Sequence, residues 1–464
     1  MDIKITSDLN TEVLVINKFE GEQTSQELAN TYAVEKDNFE GKLGTTYLLH
    51  TYGKIQADKI LVVGLGKREE VDGNKVTEAV AKAVKKLKQI KAKRAVIDFD
   101  GVGNLGKYAV IGAYIGDYNF DKYKTEKDHR LDEIGFNKFS ENDVKEGRVF
   151  GEAMLLTRNI ANEPAEYATP TKLAQMASSF EGLETKIYDR EDVKKMDMGA
   201  YLAVARGSAE PPKFIHMKYS NGNPKKRIAL IGKGLCFDSG GMDLKPASSM
   251  LTMRDDMSGA ACILGVMNAL NKLQPADIEI HGIIAACENM PGQHAYKPGD
   301  ILTAKNGKTI EVDNTDAEGR LTLADALCYA CELKVDEVID IATLTGACVV
   351  ALGTAVSGVM GNDEDMIKRV IETAKLSGEK YWELPMYQEY RDGLKSEIAD
   401  MKNTGTRNGG ASAAGMFLKE FVSDVKWVHI DVAGTAFLEK PQGIFCYGST
   451  GAGVRTLLNY VTKA

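Results

Sequence analysis

Apolar and polar residues form two kinds of pattern in the first third of the chain, one typical of strands and one typical of helices. Short β-branched runs bounded by turn residues are typical of strands, and three occur here: TEVLVINKF, KILVVGLG and RAVIDF. Between the last two, apolar residues recur at helical spacing on a lysine-rich segment: Val76, Val80, Val84, Leu87 and Ile90. This strand–helix–strand order predicts an α/β fold with a mainly parallel sheet.

The alternation resumes after a long charged segment. That segment, FSENDVKEGRVFGEAMLLTRNIANEP, predicts a helix that closes near Pro164, and Thr169 before Pro170 predicts a new helix start. Strand-like runs follow: RIALIGKGL, IEIHGIIAAC, EVIDIATL and WVHIDVAG. Helical patterns are interleaved with them: DMSGAACILGVMNALNKL, DEDMIKRVIETAKLS and GAGVRTLLNYVTK.

These patterns predict the domain organisation. We expect a small N-terminal α/β domain (1–145), a connecting helix and linker (146–170), and a larger C-terminal α/β domain (171–464). The larger domain should contain a central mixed, mainly parallel sheet covered by helices. One stretch without charges, ATLTGACVVALGTAVSGVM from Ala342, has a membrane-spanning length. Its glycines and β-branched residues favour a buried strand, a glycine-rich loop and a second strand over a membrane span.

Composition and charge narrow the class of protein. The net charge of −8 disfavours nonspecific binding of nucleic acid or anionic membranes. The basic run KAVKKLKQIKAKR, from Lys82 to Arg94, is more typical of a solvated helix face. The start MDIKITSDLN has no basic segment followed by an apolar run, so we expect no secretory signal.

The cysteines point to a reducing compartment. All seven lie from Cys236 onward, and without a signal peptide they are expected to be reduced thiols of a cytoplasmic protein. Cys328 and Cys331 form a CxxC inside a predicted helix. Two core-facing cysteines are a better interpretation of this pair than a zinc or redox site.

Charged residues interrupt the apolar pattern of the second domain in three stretches. The stretches are ALIGKGLCFDSGGMDLKP, where a strand ends among glycines, MRDDMSGAACILGVMNAL, where two acids open a helix, and NTDAEGRLTLADAL, which precedes another helix. The charged residues of interest in them are Lys233, Asp238, Lys245, Asp255, Asp256, Asp316, Glu318 and Arg320. Ligands of open α/β sheets bind beyond the carboxyl ends of the strands, so we expect these stretches to converge there.

Several carboxylates in one crevice would repel one another unless a cation lay among them. Oxygen-rich sites favour Mg, Mn or Zn. No histidine lies in the three stretches, and neither an HExxH helix nor a GxSxG elbow is present. Lys233 would bind a metal only as the neutral amine, which requires a depressed pKa. In the alternative interpretation, Lys233 and Lys245 only neutralise neighbouring carboxylates as ion pairs.

The motifs IGKGLCFDSGGMDLKP, DMSGAA and NTDAEGRL, in this order, resemble those of the leucyl aminopeptidase (cytosol aminopeptidase) family of two-metal exopeptidases. The resemblance extends over RNIANEPAEYATPTKLA and nearly all of the second domain, whereas the first domain matches only in its α/β character. It implies a C-terminal catalytic domain and assembly as a homohexamer.

Carried over position by position, the resemblance implies a set of metal ligands. Asp238 and Glu318 would bridge two divalent ions, Asp316 would complete the first site, and Lys233 with Asp256 would complete the second. Asp256 is preferred over its neighbour Asp255 because it directly precedes Met257, as in the family pattern. The implied ions are Zn or Mn, with Mg or Co as alternatives in one site.

The resemblance also implies catalytic and substrate-binding residues. Lys245 would stabilise the oxyanion, and Arg320 would hold a bicarbonate that acts as general base. The pocket for the first side chain of the substrate would be lined by Met253, Thr343 and Gly346, with Asn314 close by.

The implied activity is hydrolysis of the N-terminal residue, preferably Leu or another apolar residue, from peptides and aminoacyl amides with a free N-terminus. Two metal ions would activate the attacking water. The chain departs from the family at three places without losing a ligand: Cys236 replaces a frequent Thr, Ser258 a commoner Gly, and Arg254 a frequent Lys. A thiol two residues from Asp238 raises the question of oxidation.

Two other functions were weighed. A two-metal phosphoesterase would use similar ions, but no Walker-type glycine loop is present, and position 227, where its first glycine would stand, is Arg. The resemblance also leaves open an accessory DNA-binding role of the hexamer, against which the acidic net charge argues.

Overall fold

The chain divides into two units, each built around its own sheet. The computed structural model describes residues 1–22 and 39–463. The first unit comprises Met1–Leu155 with Lys440–Tyr447, and the second comprises Leu156–Glu439 with Gly448–Ala464. These units are defined by packing, and the limits 1–145, 146–170 and 171–464 stay a prediction about domains.

The first unit contains a six-stranded sheet with helices. The strands are β1 (Asp2–Ile5), β2 (Val13–Lys18), β3 (Thr46–His50), β4 (Lys59–Gly64), β5 (Arg94–Asp98) and β6 (Glu133–Asn137), and the helices are α1 (Gly73–Gln89) and α2 (Gly106–Asp117). Short 3-10 turns span Arg68–Glu70 and Gly103–Leu105. The strand order is β1-β6-β5-β2-β4-β3, and all neighbours are parallel except β3 and β4.

Helix α1 forms where the apolar stripe predicted it. Asp72 caps its start by accepting a hydrogen bond from the backbone N–H of Lys75 (2.9 Å). Val76, Val80 and Val84 are fully buried on its inner face. The lysines of this segment occupy the remaining face, in line with the interpretation of the basic run as a helix face.

The second unit holds the larger sheet. Its strands are β7 (Glu184–Tyr188), β8 (Lys213–Asn221), β9 (Lys226–Asp238), β10 (Ile278–Asn289), β11 (Ile301–Thr303), β12 (Thr309–Glu311), β13 (Glu337–Ala342), β14 (Ser357–Gly361), β15 (Tyr381–Glu383), β16 (Met401–Lys402), β17 (Lys426–Asp431), β18 (Phe437–Leu438) and β19 (Gly448–Ser449). Eight of these strands pair in the order β15-β14-β17-β13-β9-β10-β8-β7. The central strands β17, β13, β9 and β10 are parallel, whereas β14, β8 and β7 run antiparallel to their inner neighbours. The predicted mixed, mainly parallel sheet is therefore confirmed.

Helices accompany this sheet. The long predicted helix is α3 (Glu141–Asn162), within which the division between the units falls. The others are α4 (Pro170–Ser178), α5 (Arg190–Lys195), α6 (Gly199–Ala205), α7 (Ala247–Met250), α8 (Ser258–Leu273), α9 (Gly319–Glu332), α10 (Gly346–Leu352), α11 (Glu364–Leu376), α12 (Gln388–Asp392), α13 (Gly410–Lys419) and α14 (Val454–Thr462), with a 3-10 turn at Met253–Asp255. Both α8 and α9 pack against the central strand β9. Leu235 of β9 and Leu323 and Leu327 of α9 belong to one buried cluster.

Two sequence-based boundaries are corrected by the structure. Asp238 was expected after the end of the strand that contains RIALIGKGL, but it lies at the end of β9, because parallel pairing with β10 continues to the pair Asp238 and Asn289 across a register irregularity. Asp255 and Asp256 were expected to open a helix, but α8 begins only at Ser258. The two acids are excluded from it because Met253–Asp255 forms its own 3-10 turn, closed by the Asp255 N–H on the Thr252 carbonyl (2.9 Å).

The glycine-rich loop expected after β13 is also corrected, because the short helix α10 occupies most of it. Its start is stabilised by Thr345, whose hydroxyl accepts a hydrogen bond from the Cys348 N–H (3.0 Å). The predicted flanking strands are β13 and β14. Among the described residues, no helix combines the length and apolar character needed to cross a membrane.

Candidate metal centre

The three charged stretches converge in the second unit. Strand β9 supplies Lys233 and Asp238, and the loop that follows supplies Lys245. Asp256 follows the 3-10 turn that precedes α8, and Glu318 stands immediately before the first turn of α9. These residues therefore come from β9, from the loop that follows it, and from the positions just before α8 and α9, two helices that pack against β9.

Three carboxylates lie together at the end of β9. One oxygen from each of Asp238, Asp316 and Glu318 lies within 4.8 Å of the other two. Asp238 and Glu318 are buried, and Asp316 is half-buried. Like charges at this separation disfavour simultaneous ionisation unless cations offset them.

Lys233 lies between the carboxylates of Asp256 and Glu318. Its Nζ lies 2.8 Å from Asp256 Oδ1 and 2.9 Å from Glu318 Oε1, and it donates a hydrogen bond to the Thr343 carbonyl (3.0 Å). Burial alone would lower the pKa of Lys233, but Asp256, Glu318 and Asp238 outweigh burial and raise it. These contacts are compatible with both roles that the sequence left open for Lys233. It can be an ion-pair partner of the carboxylates or a metal ligand.

The close approach of Lys233 depends on the missing side chain of Gly319. A Cβ atom at Gly319 would lie 2.5 Å from Lys233 Cε and 2.6 Å from its Nζ. Such distances are far below ordinary van der Waals contact, so any larger residue would displace the amine. The start of α9 is thus shaped to admit a lysine from β9.

Lys245 pairs with the carboxylates of Asp238 and Asp316. Its Nζ lies 2.8 Å from Asp238 Oδ2 and 2.5 Å from Asp316 Oδ1. Burial opposes the charge, but Asp238 and Glu318 prevail and raise the pKa of Lys245. The ammonium form is therefore favoured at neutral pH.

Several buried carboxylate oxygens in this cluster lack a partner. Asp256 Oδ2 and Glu318 Oε2 accept no hydrogen bond from any described residue, although both are inaccessible to solvent. Burial and Asp238 raise the pKa of Glu318 to about 7, and burial also raises the pKa of Asp256. An unsatisfied buried acceptor costs about 1–3 kcal/mol, and more when it is charged. Oxygen donors with one amine suit hard and borderline divalent ions, so the residues fit a metal centre.

Arg320 is almost completely buried beside this centre. Its Nη1 donates a hydrogen bond to the Asn403 carbonyl (2.9 Å). Burial lowers the pKa of Arg320 to about 10, against the opposing effects of Glu318 and Asp431. The guanidinium thus stays charged at neutral pH in a position where water is largely excluded.

Two of the four predicted pocket residues contact residues of this cluster. Thr343 donates from its hydroxyl to Asp256 Oδ1 (2.8 Å), and Asn314 accepts at Oδ1 from the Asp316 N–H (2.8 Å). Met253 is the first residue of the 3-10 turn that precedes Asp256, and Gly346 is the first residue of α10, which follows Thr343. The substrate-binding roles of these residues stay predictions.

Two asparagines of the centre were not predicted from sequence. Asn289, at the end of β10, donates from Nδ2 to Asp238 Oδ1 (2.8 Å) and to the Thr315 carbonyl (3.0 Å). Asn403 donates to the Asn314 carbonyl (2.7 Å) and accepts from the Asp313 N–H (2.8 Å). The expectation that ligands bind at the carboxyl ends of the strands, applied to β10, would have identified Asn289. No local signal marks Asn403, because its contacts are to residues far away in sequence.

The cysteine next to this centre is less reactive than its position suggested. Cys236 is fully buried, and its thiol points to the Gly234 carbonyl at 3.9 Å. Burial raises the pKa of the Cys236 thiol well above its usual range. Oxidation requires an accessible thiolate, and burial of Cys236 disfavours one.

Buried carboxylates with lysines beside them, at the carboxyl end of a parallel strand, suit a metal-dependent hydrolase of the α/β class. Comparison with known proteins makes the class specific. The catalytic domain of the cytosol aminopeptidase family matches residues 155–458, and the N-terminal domain of that family matches residues 16–127. The chain belongs to the cytosol aminopeptidase family.

Relatives match over nearly the whole chain. A probable cytosol aminopeptidase of Persephonella marina is 45% identical over 99% of this chain and 99% of its own length. One of Aquifex aeolicus is 46% identical over 92% of this chain and 89% of its own. Among solved structures, the bottromycin maturation enzyme BotP in complex with Mn is 30% identical, with a TM-score of 0.90 over 98% of this chain and 99% of that one. The protein is thus a metal-dependent aminopeptidase of a dimetal family, a hydrolase that acts on peptides.

Proposed function

We propose that this aminopeptidase removes N-terminal Leu, and other apolar residues, from peptides and aminoacyl amides that have a free α-amine. The observation that carries the proposal is the cluster of Asp238, Asp316 and Glu318 with the unpartnered buried oxygens of Asp256 and Glu318. A structural ion pair would have satisfied these oxygens with protein donors. Their arrangement instead suits a centre completed by cations.

Within this proposal the ligands divide between two ions. Asp238 and Glu318 would contact both, Asp316 the first only, and Lys233 with Asp256 the second only. Zn or Mn would occupy the sites, with Mg or Co as alternatives in one of them. When bound, the ions supply a nucleophilic water at neutral pH and polarise the scissile carbonyl.

Lys245 has the charge needed to stabilise an oxyanion. Its raised pKa keeps the ammonium protonated beside Asp238 and Asp316. A donor fixed in a largely buried site stabilises charge that develops on the substrate oxygen more strongly than water does. We assign Lys245 this role.

Arg320 is proposed to hold a bicarbonate that serves as general base, because every carboxylate of the cluster is assigned to metal. A guanidinium binds a carboxylate-like anion through two parallel hydrogen bonds. Met253, Thr343 and Gly346, with Asn314, would form the pocket for the first side chain. The family resemblance further supports a homohexamer in the cytoplasm.

A metal-by-substrate matrix on the metal-stripped protein tests the function. Zn or Mn should restore release of Leu from Leu-amide, and no added ion should confer activity on aryl phosphates. Activity on aryl phosphates without aminoacyl amide hydrolysis would instead indicate the phosphoesterase alternative.

The role of Arg320 is tested by Arg320→Ala. Losing a positioned general base should lower kcat by roughly 10²–10⁴-fold, leave KM and both metals nearly unchanged, and abolish any stimulation by bicarbonate. Arg227→Ala, which removes a partly exposed arginine next to Glu279, should behave like wild type. Loss of metal in Arg320→Ala would show that Arg320 only offsets Asp316 and Glu318, and an intact bicarbonate response would also refute the role.

A further inference from the structure

Lys245 stands on a loop whose middle part is exposed. The loop leaves β9 after Asp238, and residues 242–244 are exposed, whereas Lys245 is half-buried. Exposed side chains gain little from apolar packing, so packing does not fix the course of this stretch. Hydrogen bonds to the rest of the protein must therefore hold the loop if the Lys245 ammonium group is to stay beside Asp238 and Asp316.

Thr315, which immediately precedes Asp316, contacts this loop. It is fully buried, and its hydroxyl donates a hydrogen bond to the Gly240 carbonyl (2.6 Å). The same hydroxyl oxygen accepts a hydrogen bond from the Asp243 N–H (2.8 Å), and the Asp243 carboxylate accepts one from the Thr315 N–H (2.7 Å). Thr315 thus holds the loop at two points that precede Lys245.

The glycines of the loop allow this close approach to Thr315. Gly240 and Gly241 have φ values of 88° and 68°, in the left-handed region that favours glycine. A Cβ atom at Gly241 would lie 3.1 Å from the Thr315 hydroxyl oxygen and 2.7 Å from Asn289 Oδ1. A larger residue at Gly241 would push the loop away from Thr315, so the loop is built to contact this threonine.

A short closed turn connects the contact with Thr315 to Lys245. The Lys245 N–H donates to the Ser239 carbonyl (3.0 Å), so the two ends of the loop meet. Ser239 is itself fixed, because its hydroxyl donates to the Asn289 carbonyl at the end of β10 (2.7 Å). Asp243 lies two residues before Lys245 in this turn. A shift of Asp243 away from Thr315 would therefore move the backbone from which the Lys245 side chain extends.

We propose that Thr315 is a positioning residue for the aminopeptidase reaction and holds the loop of Lys245 so that the ammonium group stays at the metal centre. The inference rests on the proposed function in one respect, because it requires Lys245 to contribute to turnover. Among the described residues, the Thr315 hydroxyl bonds to Gly240 and Asp243, neither of which is a proposed metal ligand. Its removal should therefore lower turnover and leave both ions bound.

The test is a double-mutant cycle between Thr315→Val and Lys245→Met, which both nearly preserve the side-chain volume. In the wild-type background, Thr315→Val should lower kcat on Leu-amide by about 10–100-fold, because a slightly misplaced catalytic group loses much of its effect. KM and metal content should stay close to wild type. In the Lys245→Met background the same change should have almost no further effect, because residues that act as a unit are not additive. Thr315→Ser keeps the hydroxyl and should have a kcat close to wild type.

Hydrogen exchange of the metal-free protein gives a readout that does not depend on turnover. The Asp243 N–H donates to the Thr315 hydroxyl, so the peptide that contains Asp243 should exchange faster in Thr315→Val than in wild type or Thr315→Ser. Thr77→Val is the matched control, because Thr77 is a buried threonine of the first unit whose hydroxyl donates to the Tyr108 carbonyl (3.0 Å). It should leave both kcat and the exchange of this peptide unchanged.

The outcomes separate this inference from the proposed function. A wild-type kcat in Lys245→Met rejects the role of Lys245, and the inference with it. A low kcat in Lys245→Met together with a wild-type kcat in Thr315→Val rejects only the positioning. An equal fall of kcat in both backgrounds, loss of an ion from Thr315→Val, or unchanged exchange of the loop peptide also overturns it. Should Thr315→Val fail to fold, Asp243→Ala removes the acceptor of the Thr315 N–H at an exposed position and must give the same non-additive loss.

Discussion

Four carboxylates face only two lysine ammonium groups in the metal centre. The carboxylates are those of Asp238, Asp256, Asp316 and Glu318, and the ammonium groups are those of Lys233 and Lys245. Burial raises the pKa values of Asp256, Asp316 and Glu318, the neighbouring carboxylate of Asp238 adds to the increase, and the lysines offset it only in part. Two divalent cations would reverse this balance, so the affinity for metal comes from the same burial that destabilises the bare cluster.

Single substitutions should show which carboxylate serves which ion. Asp238→Ala and Glu318→Ala should each lose both metals, because each is assigned to both ions, whereas Asp256→Ala should lose mainly the second. Asp255→Ala removes the adjacent buried carboxylate and should retain two ions. Elemental analysis of the purified variants provides the measurement, and two ions per chain in Glu318→Ala would disprove the assignment.

The sequence predicted that these charged residues would lie together but not how they are supported, and their roles as ligands stay predictions. Lys233, Asp238 and Glu318 could be recognised because charged residues are rare in apolar segments and the motifs have a characteristic order. Asn403 could not, because the contacts of its side chain span about ninety positions of the chain. Whether a buried amide meets a backbone carbonyl that far away depends on tertiary packing, which local patterns do not encode.

The start of α9 is the element on which the proposed second metal site depends. Gly319 lets Lys233 of β9 pass against the helix, since a Cβ atom there would lie 2.5 Å from Lys233 Cε. The obstructing atoms belong to the end of a flexible side chain, so the fold can tolerate a methyl group only if the lysine moves. The helix start therefore controls the position of one amine.

Gly319→Ala should fold but bind the second ion more weakly, by about tenfold or more, as is usual when a supporting contact of a metal ligand is disturbed. Gly393→Ala is the matched control, because the nearest atoms around a Cβ there lie at ordinary contact distances from 3.5 Å. A metal titration followed by activity and by thermal unfolding gives the comparison. Wild-type affinity at both sites in Gly319→Ala would contradict the argument.

Strands β8 and β10 share a buried histidine pair that links stability to pH. His216 Nε2 lies 2.8 Å from His281 Nδ1, and His216 Nδ1 lies 2.9 Å from the Tyr329 hydroxyl. Burial, reinforced by His281, lowers the pKa of His216 from 6.5 to about 4. The pKa of His216 is thus lower in the folded than in the unfolded chain, so the stabilisation that goes with the neutral side chain is fully present above pH 6.5. It is lost as the pH falls from 6.5 towards 4.

Between pH 7 and pH 5, His216 should account for a loss of about 2 kcal/mol in the free energy of unfolding. His216→Gln has no titrating group at this position, so its loss over the same range should be smaller than that of wild type. Denaturant unfolding of both proteins at the two pH values, with the same metal concentration, measures the difference. Equal losses would mean that the pair does not titrate as the structure indicates.

Periodicity predicted most elements of the sheet because strands such as β9, β10, β13 and β17 are rich in β-branched and other apolar residues. It failed at α10, where Gly346 and the β-branched residues suggested a loop followed by a strand. The capping hydroxyl of Thr345 and packing against α13 stabilise a helix there. Such contacts outweigh local propensity in a segment of only seven residues.

The whole chain, rather than a catalytic fragment, matches the relatives. Family matches fall in both units, and the relative from Persephonella marina aligns over 99% of each chain. The sequence alone identified the class because the metal-binding motifs lie in a fixed order within one domain. From the sequence patterns only the α/β character of the first unit was recognised, whereas the N-terminal domain of the family matches its residues 16–127.

The requirement for a free N-terminus distinguishes an aminopeptidase from any other two-metal hydrolase. The protein with restored metals should release Leu from Leu-amide, and it should leave N-acetyl-Leu-amide intact under the same conditions. An acetyl group removes the basic α-amine but preserves the side chain and the scissile bond, so only recognition of the amine is tested. Release of Leu from the free substrate alone is the result we predict, and equal rates on both substrates would contradict it.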